Sequence, residues 1–385
     1  MINMKSFSVV LAISITLSAS LADAKETVKI GFIGPLTGGN SAIGVGGRNS
    51  TQLAIDLKNR DPNAKYHYEL VTLDDECKPS TGVQVATKMS SDNSIVAGVT
   101  HFCSSVAIAT VNTYQRFAFP VIVWGAVLPD VTYKNNFSEI HRVNGTMITQ
   151  NEVAAKFMTN LGYKQFVIIH DTTDYGKGHE EYFSKDIKSN GGTILASFGV
   201  PVDQQDFTSE LTKIKELKPQ VIFFGGLTPL GVRIRNQMQK MGIKAIFEGT
   251  SGIKSEAYID GVGKEVAEGS LSFLEGAPAE KLPGGKFFLQ QYKNENFSEP
   301  PEAYGPFAFT AANLIINAVE KVGPNRNKVN LELNKTKDVD TIIGKVTFDD
   351  HRQNIVPLVS AYVAQDGKWV LWEDSQYASK KRILK

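Results

Sequence analysis

Apolar and polar positions fall in blocks along this chain, and the blocks switch between the strand period and the helix period. Val28-Lys29-Ile30-Gly31-Phe32-Ile33 is a strand-like run that ends in a glycine-rich turn from Gly34 to Gly47, and a helix then carries Leu53, Ala54 and Leu57 on one face. Tyr68–Leu73 follows as a strand, Thr81–Met89 as a helix with Val85, Ala86 and Met89 at helical spacing, Ser94–Val99 as a strand, Ser105–Tyr114 as a helix and Val121–Val123 as a strand. The pattern restarts near residue 150. Helices at Asn151–Leu161, Gly178–Ser189, Phe207–Leu217 and Gly231–Met241 alternate with strands at Gln165–Ile169, Thr193–Phe198, Val221–Phe224 and Ala245–Phe247. Such alternation predicts parallel sheets covered by helices, here two open α/β sheets in succession. After the apolar run Ser270–Phe273 the chain is more irregular, with helices at Gly285–Lys293 and Pro306–Val322. Leu358–Val363 and Lys368–Trp372 around Asp366-Gly367 give a β-hairpin signal. The duplication is one of architecture, with no repeat at the level of residues.

Length and charge narrow the class. With 385 residues the chain is long enough for two domains, and 41 basic against 40 acidic side chains rule out a polybasic nucleic-acid or membrane-surface binder. Lys5, the apolar and small residues from Phe7 to Leu21, and Ala22-Asp23-Ala24 have the three parts of a secretory signal, predicting cleavage after Ala24. The apolar run is short for a membrane span, and no stop-transfer cluster follows it. No cysteine follows the cleavage site and no twin arginine precedes it, so the expected product is free in an exported compartment.

Two cysteines in an exported chain imply one disulfide, Cys77–Cys103. His101 beside Cys103 raises a metal reading, but two cysteines and one histidine fall short of a tetrahedral set. At the junction after the strand Ser94–Val99, Ser104 occupies an N-cap position with free backbone N–H groups from Ser105 onward, which makes an anion cradle. The ordinary work of such a serine is to cap its own helix. Catalytic signatures are absent: there is no GxSxG elbow, no HExxH and no phosphate loop, and Gly31–Gly39 departs from the dinucleotide fingerprint. His170-Asp171 is readable as a dyad but more simply as a strand end, and Asp74-Asp75-Glu76 as a cation cluster but more simply as a loop. No enzyme, cofactor or metal site is expected.

Taken in order, several segments resemble the periplasmic leucine/isoleucine/valine-binding proteins of ABC importers, the type I solute-binding proteins. The resemblance covers residues 25–385 and is carried by Val28–Gly38, Asp74–Pro79, His101-Phe102-Cys103-Ser104-Ser105, Leu128–Thr132, His170-Asp171 with Asp174–Gly178, and Phe224-Gly225-Gly226. It implies a fold of two Rossmann-like lobes with parallel sheets, joined by three hinge crossovers and closing on ligand. Lobe 1 is then expected at 25–144 and 275–350, and lobe 2 at 145–274 and 351–385. The resemblance also implies a periplasmic, Gram-negative setting, a monomer, permease subunits as partners and no nucleic acid. The alternative of similar fold is the ligand-sensing module of a receptor.

In such proteins a serine hydroxyl and backbone N–H groups hold the ligand carboxylate, and the matching positions are Ser104 with Cys103, and the backbone at Gly125 and Val127. The apolar wall matches Ile43, Phe102, Tyr175, Leu227 and Tyr304, with Trp124 adding an aromatic face. The ammonium end departs from the family. Ser251 stands where a glutamate is usual, Val127 where a threonine helps it and Leu227 where a tyrosine is found, and the stretch Gly145–Thr149 lacks an acidic residue. Burying an ammonium without a carboxylate costs several kcal/mol. The expected ligand is therefore a carboxylate without an α-ammonium (an aromatic, branched aliphatic or 2-oxo acid), with a branched-chain amino acid as runner-up and Glu248 as a nearby substitute acid.

Overall fold

The computed structural model describes residues 25–355 and 358–384, so the predicted signal segment lies outside the described residues. Five parallel strands build the first sheet: β1 (Thr27–Gly34), β2 (His67–Asp74), β3 (Ile95–Thr100), β4 (Val121–Val123) and β5 (Ile140–Arg142), in the order β2-β1-β3-β4-β5. The inner strands β3 and β4 are buried at every position, which is why they read as continuous apolar runs rather than alternating ones.

The second sheet repeats that order. Strands β6 (Gln165–Asp171), β7 (Thr193–Val200), β8 (Val221–Gly225), β9 (Ile246–Gly249) and β10 (Leu271–Glu275) lie as β7-β6-β8-β9-β10. A small separate hairpin of β11 (Val339–Thr341) and β12 (Gly344–Val346) follows in sequence. The chain then adds β13 (Val359–Gln365), antiparallel to β10, and closes with β14 (Lys368–Leu371), the hairpin expected around Asp366-Gly367.

The molecule is thus two α/β lobes. In an open sheet of this order the crevice for a ligand opens at the carboxyl ends of the strands, where the winding reverses. The chain passes between lobes at 143–146, after β10, and before β13. Asn354 N donates to Arg142 O, Gln353 Nε2 to Asn144 O, and Gly276 N to Leu358 O, so neighbouring crossovers are bonded to one another. Arg142, fully buried, lends its guanidinium to Gln353 and to the carbonyls of Ala126 and Leu128. These pairings put Glu275 in the second sheet and 351–354 beside the first, a few residues from the boundaries expected above.

The irregular region after β10 returns to the first lobe, where the helix Gly305–Val322 lies against the helix Ser41–Arg60. Elements that the periodicity did not announce include β5, the short helices Asp130–Tyr133 and Glu256–Val262, the helix Arg326–Leu333 and the hairpin β11–β12. Among the described residues, no helix is long and apolar enough to cross a membrane.

Candidate functional site

The turn leaving β3 is fixed by its own side chains. His101 takes a left-handed backbone (φ 59°), and its buried ring is held by Asp75 Oδ2 at 3.0 Å, Tyr114 Oη at 2.6 Å and Thr110 Oγ1 at 3.1 Å. The Cys77–Cys103 disulfide (Cα–Cα 5.5 Å) ties the same turn to the loop after β2. There the acidic cluster is structural: Asp74 accepts from Leu36 N, Thr37 Oγ1 and Glu76 N, and Asp75 accepts from Cys77 N. Among the described residues, no group of three His, Cys, Asp or Glu side chains is placed to hold a metal. Nor is His170-Asp171 a dyad, because the His170 ring meets the Asp171 carbonyl while the carboxylate accepts from Thr173.

Ser104 departs from its expected position by one residue. The helix runs Ser104–Arg116 with Cys103 as its N-cap, so Ser104 is the first helical residue and does not cap. Its buried Oγ instead accepts from the backbone N–H groups of Val127 and Leu128, both at 3.2 Å. A hydroxyl, two loop N–H groups and the unpaired first-turn N–H groups of a helix thus converge where the two carboxyl-end loops of β3 and β4 meet. That is a donor set suited to an anion. Gly125 is required for this approach: a Cβ there would lie 2.8 Å from Phe102 Cδ2 and 3.2 Å from its Cα.

The predicted apolar residues gather in one core that spans the lobes and contains Ile43, Phe102, Tyr175 and Tyr304, with half-buried Leu227 packed on it. Phe102 meets Tyr304 edge-on at 5.5 Å. Trp124 lies behind this wall: it is fully buried between Phe32 and Phe102 and directs its indole N–H to Ile33 O. From the second lobe, Tyr175 Oη meets Thr250 Oγ1 at 2.7 Å and accepts from Gly252 N at 3.1 Å; burial pushes the phenol pKa of both Tyr175 and Tyr304 up, and the Ser251 hydroxyl pulls both partly back. The lobes are closed. A Cβ on Gly39 would lie 2.5 Å from Pro229 Cγ, and one on Gly178 3.1 Å from Leu128 Cδ1, each contact crossing the cleft.

Beside Tyr304 stands an acid that is not among the expected site residues. Glu275, at the end of β10, is buried; its Oε2 accepts from Tyr304 Oη at 2.9 Å and its Oε1 has no partner among the described residues. Burial pushes its carboxyl up to about 7, against its own backbone N–H, the Tyr304 hydrogen bond and the Arg142 charge, which pull it down. The available signal was an acid closing the apolar run Leu271-Ser272-Phe273-Leu274. Glu248, the substitute acid named above, sits elsewhere. Its register partner is Leu271, so Glu275 stands four residues, about 13 Å, further toward the cleft. Glu248 shares a strand face with Ile246 of the lobe interior, neither carboxylate oxygen has a partner among the described residues, and burial raises its carboxyl well above the ordinary range.

Comparison with known proteins bears on the whole chain. The sequence model for the periplasmic binding protein family matches residues 27–368. The Leu/Ile/Val-binding protein BraC3 of Rhizobium johnstonii is 30% identical over 93% of this chain and 98% of its own. Among solved structures, a leucine binding protein of Thermotoga maritima superposes with a TM-score of 0.82 at 24% identity, covering 89% of this chain and 97% of that one. A solute binding protein from R. palustris, in complex with benzoate, superposes at 0.80 with 16% identity over 90% and 95%. At those identities the two structures speak for the fold.

Proposed function

This chain belongs to the periplasmic binding protein family, and on that premise we propose that it captures a small apolar carboxylate in its interlobe cleft and delivers it to the permease subunits of an ABC importer. The observation that carries this reading is the seat at Ser104, whose hydroxyl spends itself on Val127 and Leu128 N–H rather than on its own helix. A carboxylate replaces that internal bond with charge-assisted ones, and those are about twice as strong. Phe102, Tyr304, Ile43, Leu227 and Tyr175 supply the apolar enclosure above the seat. Closure follows when ligand contacts exist only with both lobes in place.

The relative named for leucine, isoleucine and valine supports apolar amino acids as the first reading of that solute. A second reading, an aromatic, branched aliphatic or 2-oxo acid without an α-ammonium, is favoured by Ser251, Val127 and Leu227, none of which offers a carboxylate or hydroxyphenyl group. Thermal-shift titration of the processed chain with apolar amino acids and with benzoate, 4-methylpentanoate and 2-oxo acids separates the two. Ligand at one hundred times Kd adds about 2.7 kcal/mol of apparent stability. If no carboxylate of either set raises the melting temperature, the proposal fails.

A further inference from the structure

We propose that Glu275 is the receptor for an α-ammonium group, supplied from the end of β10 in place of a carboxylate in the loop that holds Ser251. This rests on the cleft reading above and specifies its ligand as an apolar α-amino acid. Three independent features place the carboxylate at the right corner. Its Oε2 is held by Tyr304 Oη, and Tyr304 packs edge-on against Phe102, two residues before the carboxylate seat at Ser104. Tyr175 of the same lobe bonds Thr250 Oγ1 at 2.7 Å and accepts from Gly252 N at 3.1 Å, the residues on either side of Ser251, and β10 pairs with the end of β9 just before that loop, so Glu275 reaches the space beside Ser251 from the adjoining strand. Its Oε1 is buried and has no partner among the described residues.

A buried carboxylate oxygen without a donor is costly; Glu248 carries that cost inside its lobe, whereas Glu275 carries it at the strand end, where Tyr304 of the other lobe reaches its second oxygen. The groups facing Glu275 are Tyr304 at the N-cap of the helix Gly305–Val322, Tyr175 on the helix Asp174–Ser189, and Arg142 on β5. Arg142 points its guanidinium at Gln353, Thr132, Ala126 and Leu128, so it adds background charge to Glu275 without bonding to it. The free oxygen is left for a cation, and an ammonium one bond from the carbon that bears the seated carboxylate is the cation this family of solutes brings.

The test is isothermal titration of the wild-type protein and of Glu275→Gln with L-leucine, L-isoleucine, L-valine and L-phenylalanine, each beside its deaminated acid, with benzoate included. The proposal requires that the wild type bind at least one amino acid about 100-fold or more tightly than its deaminated partner, a comparison that needs no variant to fold. It further requires that Glu275→Gln lose about 100-fold or more for that amino acid while its affinity for the deaminated acid is kept or improved. An amino-acid affinity unchanged in Glu275→Gln overturns it. A wild type that prefers the deaminated acid also overturns it, yet leaves the cleft reading standing; a wild type that binds neither set overturns both.

Discussion

Replacing Ser104 with alanine separates two roles of one oxygen. In the closed lobes Ser104 Oγ is the acceptor for Val127 N and Leu128 N, each at 3.2 Å, and the hydroxyl is buried. Ser104→Ala leaves both N–H groups without it, and a buried orphan donor costs about 1–3 kcal/mol. Two of them destabilise the ligand-free protein by about 2 kcal/mol or more, reduced by whatever the 127–128 backbone can relax. When ligand binds, its carboxylate takes those N–H groups, so this penalty disappears. What the variant then lacks is the hydroxyl's own charge-assisted bond, worth about 1.5–3 kcal/mol, or roughly 10- to 150-fold in Kd. The two effects oppose each other: the destabilised free state favours binding, the missing donor disfavours it. The net expectation is a Kd between about twofold tighter and fivefold weaker, together with a ligand-free melting temperature that falls. Calorimetric titration read beside a ligand-free melt resolves the pair. A variant with wild-type affinity and a wild-type melt would falsify the assignment of Ser104 to the seat.

Other consequences are open to simple measurement. Removing the disulfide by a double Cys77→Ser, Cys103→Ser change opens a bridge of sequence separation 26, which the chain-entropy argument values at about 3.5 kcal/mol; a lower melt is expected, and because Cys103 caps the helix that begins at Ser104, so is weaker binding. Gly125→Ala brings a methyl to 2.8 Å from Phe102 Cδ2; overpacking of this kind costs about 1–3 kcal/mol, and titration should show binding weakened severalfold. Glu275 gives stability a pH dependence of known sign. Its carboxyl is raised to about 7 in the fold, so between the ordinary carboxylate range and pH 7 the folded chain holds a proton that the unfolded chain has released. Its contribution therefore worsens as pH rises through that window and is fully adverse above it, by about 3 kcal/mol. Glu275→Gln should melt higher than the wild type at pH 8 and alike at pH 4; equal melts at both values contradict the burial argument.

Much of this architecture was legible because buried parallel strands are long apolar runs, and β1, β3, β6 and β8 announce themselves that way. The three residues of β5 include His141 and Arg142 and so form no apolar run, whereas the equally short β4 is wholly apolar and registers as a strand. Ser104 was visible as a serine at a strand-to-helix junction. Which bond its oxygen makes depends on a loop 23 residues later and could not be read locally. Trp124 was expected to add an aromatic face to the site, but its buried position behind Phe102 follows from rings and glycines drawn from distant segments, a Cβ on Gly47 lying 2.6 Å from its Cη2. Glu275 was hidden for a similar reason: an acid at a strand end is ordinary until the return of the chain brings Tyr304 against it.

The lateral bonds between crossovers have a mechanical consequence. Asn354 donates to the carbonyls of Arg142 and Val143, Gln353 to that of Asn144, and Ser360 Oγ to that of Gly276, so the three connecting segments form a stitched spine rather than three separate threads. A spine of this kind bends about one line and resists twist and sliding. Opening becomes a swing with a single degree of freedom, and each return brings the same side chains back into register.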